Sequence, residues 1–436
     1  MLKDKLLLLA VAILVCQLTK AQYLMDMVDT TKDMGKNMVS LYNRFDNISL
    51  TGYIQPQFQV AQTKGELSYA GGNFATNSNS RFMLRRARIL FDYSHFPRTG
   101  TGASFHFVFQ VDATERGVNV RDVWGQLLEN KYKMFAFTIG LFARPISYEL
   151  NLSSAFRESP ERGRMSQILM NTERDLGVMV TFEPRIKESK LNFLRVDLGV
   201  FNGPGLPASV EDYDSHKDII SRVVIKPRLL SKNVTLGGSA GIYYGGLSQN
   251  TPYVYNTTTV AGVKTFVVDS AITNIGNIAP RKYYGADMQL TINNRVGATQ
   301  LRAEFLGGSQ TASATSTQTP GAAFAATQGY YIRNFTGAYF YFLQNLGSVK
   351  SQAIIKYDWY DPNIFVKTTE IGAAGSNFNA ADIKYSTLGV GYLYYMNEHI
   401  KFVLYYDFVY NEITSLPGYT ANVKDNVLTL RIQFRF

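Results

Sequence analysis

The sequence predicts an all-β fold: one antiparallel sheet of sixteen strands, closed into a membrane-spanning barrel and preceded by a short N-terminal helix. Three observations lead there. Apolar and polar residues alternate along the chain from Asn47 onward, the connections between alternating segments are long and short by turns, and no linker or repeat divides the 436 residues. Successive side chains of a strand face opposite sides. The C-terminal run sets Leu428, Leu430, Ile432, Phe434 and Phe436 against Val427, Thr429, Arg431, Gln433 and Arg435. A soluble sheet alternates equally well, so the connections decide. Long loops at one rim and tight turns at the other are the pattern of membrane barrels.

In chain order, residues 1–21 read as a secretory signal peptide. Lys3 and Lys5 precede an apolar run from Leu6 to Val15, and Thr19 and Ala21 occupy the small-residue positions before the cut. The run is shorter than the roughly 18 apolar residues that a membrane anchor needs. A lipoprotein signal through Cys16 is opposed by Val15, where a small residue is expected. Cleavage after Ala21 removes Cys16, the only cysteine, leaving neither a disulfide nor a thiolate metal site. Residues 22–46 form a helical periplasmic segment. Met27, Met34, Met38, Leu41 and Tyr42 near helical spacing predict an amphipathic helix over about 25–43, packed at the periplasmic mouth.

Residues 47–436 supply the barrel. Strands are expected at 48–61, 81–94, 102–112, 120–130, 134–144, 173–183, 191–201, 218–226, 234–245, 282–292, 299–307, 331–343, 351–361, 384–396, 400–410 and 426–436. Most match the roughly 9–11 residues of a tilted spanning strand. The connections 62–80, 145–172, 246–281, 308–330 and 362–383 are long and rich in Gly, Ser, Thr, Asn and Ala. Loops longer than about 15 residues are uncommon in compact soluble domains. Closure pairs every backbone group, the condition for strands to cross hydrocarbon. Sixteen strands also enclose more space than side chains can fill, which leaves a water channel.

Charges within the strands are expected to face that water, because charge on a lipid face is costly. By parity the wall cations are Arg86, Arg88, Arg144, Arg195, Arg222, Lys226, Arg302, Lys356, Lys401, Arg431 and Arg435. The wall anions are Asp92, Asp112, Asp122, Asp175, Asp197, Asp287, Glu304, Asp358 and Asp407. Arg195 with Asp197, Arg302 with Glu304, and Lys356 with Asp358 are spaced to pair along one face. The second strand packs Arg81, Arg85, Arg86 and Arg88 close together, with Arg86 and Arg88 on the inward parity and Arg81 and Arg85 on the other. Guanidinium groups stay charged and bind phosphate or carboxylate through a planar fork. Arg157, Arg162 and Arg164 add charge in the loop 145–172, which either folds into the channel or stays outside, paired internally through Glu158 and Glu161.

The stretches "LRRARI" at 84–89, "GLFARPISYE" at 140–149, "ESPERGRM" at 158–165, "ERDLGV" at 173–178, "VFNGPG" at 200–205 and "RVVIKP" at 222–227, with terminal Phe436, resemble the phosphate-selective porins O and P of Gram-negative outer membranes. The resemblance implies a homotrimer with anion-preferring passage, and it implies that Phe436 is read by the barrel-assembly machinery. Arg86 and Arg88 fall in the motif matching the family's arginine ladder, whereas its lysine cluster has no match here. Passive diffusion of small solutes, with inorganic anions favoured, follows as the expected function. A non-selective porin and an adhesin or scaffold built on the long loops are the alternatives.

An enzyme is not expected. His106 shares its face with Ser104 and Asp112, but the three line up along one strand without forming a triad. His95 and His399 fall in turns and His216 in a loop. The sequence carries no phosphate-cradling glycine loop, no metal-ligand spacing and no basic cluster for nucleic acid, so no cofactor and no nucleic-acid partner is expected. The formal charge of +10 is spread through the alternating segments.

Overall fold

The structure, a computed structural model, describes residues 47–96, 104–186, 188–205 and 212–436. The expected leader and N-terminal helix lie outside the described residues. Strands β1 (Ile48–Ala61), β2 (Ser80–His95), β3 (Ser104–Thr114), β4 (Gly117–Leu128), β5 (Phe135–Ala143), β6 (Arg174–Phe182), β7 (Leu194–Phe201), β8 (Asp218–Ser231) and β9 (Val234–Ser248) are each hydrogen-bonded to the next. A hairpin follows, β10 (Val254–Val260) and β11 (Val263–Asp269). Then come β12 (Ile278–Asn294), β13 (Gly297–Ala312), β14 (Tyr330–Asn345), β15 (Ser351–Asp361), β16 (Tyr385–Tyr395), β17 (Ile400–Asn411) and β18 (Val427–Arg435).

The hairpin stands outside the ring, because β9 pairs directly with β12 in antiparallel register. β18 returns to β1, with Tyr53 opposite Arg435 and Ala61 opposite Val427. Sixteen strands therefore close one barrel, as alternation predicted. At the seam Gly52 and Phe436 exchange backbone hydrogen bonds of 3.2 and 3.0 Å. A Cβ at Gly52 would lie 2.6 Å from both the Phe436 ring and the Arg88 carbonyl oxygen. Only glycine fits there.

Two local departures have physical causes. The strand expected to end at 226, before Pro227, runs on to Ser231. Its register to β9 shifts between Ile225 and Arg228, a bulge that accommodates the proline's missing N–H. The stretch 246–281, expected as a loop, contains the β10–β11 hairpin. Ala261 and Gly262 turn it with φ of 49° and 83°, the mirror-image geometry that suits hairpins. β10 also pairs in parallel with the start of β14, so the hairpin is fastened down at its base.

Connections following odd-numbered barrel strands in ring order gather at one rim and the short turns at the other. The link at Glu115 and Arg116 is the one short member of the long-loop rim. The wall is apolar outside and polar inside. On β5 Phe135, Phe137 and Ile139 are exposed while Ala136 and Thr138 are buried; on β17 Leu404, Phe408 and Tyr410 are exposed while Lys401 and Tyr405 are buried. That is the reverse of a soluble barrel.

Candidate functional site

The loop 144–173 crosses the interior. It leaves the ring between β5 and β6 and reaches across to partners on β13 to β18 and on β1 and β2. Its foot is fixed by Arg144, which is 1% exposed and donates to the Gly203 carbonyl at 3.0 Å and to that of Thr172. A single turn α1 (Tyr148–Asn151) follows, its N-terminus capped by Ser147, whose Oγ accepts from the Leu150 N–H at 3.2 Å. A second short helix α2 (Arg164–Leu169) buries Met165, Ile168 and Leu169 in one apolar cluster with Phe142, Phe201, Ile220, Tyr283 and Phe335. Glu149 ties the two helices together, accepting from Gly163 N–H at 3.0 Å and from Ser166 Oγ at 2.7 Å. Apolar burial and a buried carboxylate thus fold the loop inward.

Its acids pair with the wall. Glu161 receives Arg85 at 2.8 Å, Arg86 at 2.7 Å and Arg431 at 2.8 Å. Glu158 is held by Arg302 through two bonds of 2.8 Å, a bidentate fork. Both carboxylates thus reach the wall instead of pairing within the loop. Burial alone would push the Glu161 carboxyl up; the Arg85, Arg86 and Arg431 guanidinium groups more than reverse this and hold it well below the usual carboxylate range.

Arg85 and Arg86 are neighbours, yet both reach the same carboxylate inside the barrel. Inward parity therefore slips by one residue between them, as a bulge does. Arg81 falls inside too, donating to Gln59 Oε1 at 3.0 Å. The expectation that Arg81 and Arg85 face the other side is corrected: all four arginines of β2 are inward. Arg88 pairs with Asp112 at 2.9 Å.

The remaining wall cations divide by partner. Arg195 meets Asp197 at 2.9 Å and Lys356 meets Asp358 at 3.2 Å, as their spacing suggested. Arg302 takes Glu158 rather than Glu304, whose carboxylate accepts instead from Tyr339 Oη at 2.7 Å and from the Glu149 N–H. Arg222 pairs with Asp287 at 3.0 Å and Lys226 with Glu183 at 2.5 Å. The Arg435 guanidinium lies 5.0 Å from the centroid of the Phe156 ring on the loop. Lys401 donates to the carbonyls of Ala155 and Arg157 at 2.9 and 3.0 Å, holding the loop by its backbone.

Within the loop, Arg162 joins Arg121 and Arg174 around Glu173. Arg157 differs. It is 3% exposed, and none of its three guanidinium nitrogens has a hydrogen-bond partner among the described residues. Burial, and then the charge of Arg86, lower its pKa from the ordinary guanidinium value, while Glu149 and Glu161 offset part of that. Arg164 lies between two tyrosine rings, Tyr385 and Tyr69. Parity placed Arg86 and Arg88 of β2 but not Arg81 and Arg85; the tyrosine partners of Arg164 were not legible, because they come from segments distant in the chain.

The structure does not assemble the histidine alternative. His106 Nε2 lies 2.7 Å from Asp92 Oδ1 and its ring meets Trp124 edge-on, while Asp112 is engaged by Arg88. Among the described residues no group of three His, Cys, Asp or Glu side chains is placed to hold a metal.

A closed sixteen-strand ring with one loop drawn across it matches solved structures over nearly the whole chain. This is the fold of the bacterial outer-membrane porins. OprB of Pseudomonas putida superposes with a TM-score of 0.55 at 11% identity, covering 94% of this chain and 98% of its own. An anion-selective porin from Comamonas acidovorans gives 0.52 at 12% identity, covering 89% and 99%. OmpT of Vibrio cholerae, in vitro folded and in its trimer form, gives 0.51 at 9% identity, covering 89% and 99%. No family model and no curated protein matches the chain. The likeness reaches the porin fold and not the phosphate-selective O and P family within it.

Proposed function

We propose that the chain is an outer-membrane porin through which small hydrophilic solutes diffuse passively, with anions preferred. The observation that carries this reading is the loop 144–173 drawn across the interior, where Glu161 answers three arginines and Arg157 answers to no carboxylate. Such a constriction keeps a positive excess, and rings of Arg or Lys favour anions in pores. The apolar outer wall supports a place in lipid, since a charge at the bilayer midplane on that face would cost about 2–4 kcal/mol. Assembly as a homotrimer, recognition of Phe436 by the barrel-assembly machinery, export by a cleaved leader and phosphate as a favoured solute belong to the same proposal.

A non-selective porin is the second reading. Arg88, Arg195, Arg222, Lys226, Arg302 and Lys356 each have a carboxylate partner, so most of the wall carries no excess charge. Planar-bilayer recording of the purified protein in a salt gradient decides between them. A reversal potential of anion sign supports the leading reading, and a potential near zero supports the second. Absence of conductance removes both.

A further inference from the structure

Beside α2 a cavity of about 770 Å³ opens among the long loops. Lys64, Arg85, Arg116 and Arg164 line it against two carboxylates, Glu66 and Asp425. The Arg164 guanidinium is 3.7 Å from the centroid of the Tyr385 ring and 4.5 Å from that of Tyr69. Both rings are within cation–π distance and hold the group in place. It makes no ion pair among the described residues, and its buried Nε has no partner. The two terminal nitrogens are not among the buried, partnerless atoms, and their N–H fork matches the two oxygens of a carboxylate.

The size of the cavity adds a second constraint. An inorganic ion would leave nearly all of it to water, whereas pockets of about 300–1,000 Å³ suit organic ligands. Much of the remaining lining is hydroxyl and amide, from Ser68, Asn73, Gln167, Thr317 and Gln318. Those groups exchange hydrogen bonds with hydroxyls rather than with apolar surface.

We propose that this vestibule binds hydroxylated organic carboxylates of sugar-acid size, with the carboxylate on the Arg164 edge and the hydroxyls on the polar lining. The site deepens the porin reading, on which its role in uptake rests.

The test is current block in planar bilayers, with D-glucuronate added on the long-loop side and D-glucose, acetate and inorganic phosphate run in parallel. Glucuronate is expected to half-block at a concentration about tenfold below each of the others, since only it has both the carboxylate and the hydroxyls. Arg164→Gln raises that concentration about tenfold, and Arg164→Lys nearly as much, because lysine keeps the charge without the fork. Equal block of Arg164→Gln and the unchanged protein overturns the site, and so does phosphate or acetate block as strong as glucuronate block. Heat-modifiable migration on a gel reports folding. If Arg164→Gln fails to fold, Tyr385→Leu, which removes one ring, must weaken the block in the same way.

Equilibrium dialysis of labelled glucuronate against the detergent-solubilised full chain separates this site from the pore. Arg164-dependent binding by a protein that passes no current leaves the site standing and removes the porin. Current without such binding does the opposite.

Discussion

Glu161→Gln tests the electrostatics of the interior most directly. The carboxylate is the common acceptor of Arg85, Arg86 and Arg431, and the substitution removes one negative charge while keeping the shape. Breaking a buried pair costs about 3–5 kcal/mol. The lower end applies here, because Arg86 keeps Gln55 Oε1 at 3.1 Å and Arg431 keeps the Pro160 carbonyl at 2.6 Å. An ion passing at about 6 Å in water gains or loses about 0.7 kcal/mol from one charge, cut to about 0.4 by screening at 0.1 M salt; anion and cation shift in opposite directions, close to a threefold change in their ratio. The anion-to-cation permeability ratio is therefore expected to rise about threefold at 0.1 M salt. It should fall back toward the unchanged protein at 1 M, where the Debye length shrinks from about 10 Å to about 3 Å. Reversal potentials at the two salt concentrations measure this. An unchanged ratio at low salt, or a shift toward cations, would refute the reasoning. The pH sign follows from the depressed carboxyl: its contribution to stability is complete above the unfolded value of about 4.3 and fades only as pH falls through the lower folded value.

Other perturbations act on separate features. Arg157→Gln removes the loop cation that lacks a partner and should lower anion preference by a similar threefold factor in the same recordings; a rise would contradict its place in the constriction. Burial raises the Asp425 carboxyl to about 6, so protonation below that pH deletes a negative charge from the vestibule. Anion preference should therefore increase as pH drops from 7 to 5, and Asp425→Asn should weaken that dependence, leaving the share of Asp361, whose carboxyl burial also raises to about 6. Gly52→Val puts a side chain against Phe436 and the Arg88 carbonyl and should destabilise the closed ring by about 1–3 kcal/mol, read as an earlier midpoint in denaturant. An unchanged midpoint would mean that the seam relaxes freely.

Much of the ring was legible in the sequence because period-2 alternation and loop length are local properties. β1 and β15 begin and end where parity placed them. What failed was local in another way. Parity counting assumes an unbroken pleat, so the slip between Arg85 and Arg86 sent Arg81 and Arg85 to the wrong face. Pro227 read as an end because a proline cannot donate to the ladder, although a bulge lets the strand continue. The β10–β11 hairpin was missed because polar residues such as Asn256, Thr257 and Thr258 resemble loop composition, while the Ala261–Gly262 turn was the available signal.

The interior was less legible for a different reason. Spacing proposes partners two residues apart, which succeeded for Arg195 with Asp197 and for Lys356 with Asp358. It could not propose Glu158 for Arg302, because that contact depends on which way a loop turns after the ring is built. Ser147, Pro160 and the apolar trio of α2 hold the information for that turn, but only together with the wall they meet.

The seam between β1 and β18 decides whether the ring has edges at all. The two edges that meet there belong to the first and last described strands, and each would present a row of unpaired backbone groups without the other. The crosspiece takes its ionic anchors from β2, β13 and β18, so it ties together staves on both sides of that seam. It braces the staves from within, like a spoke.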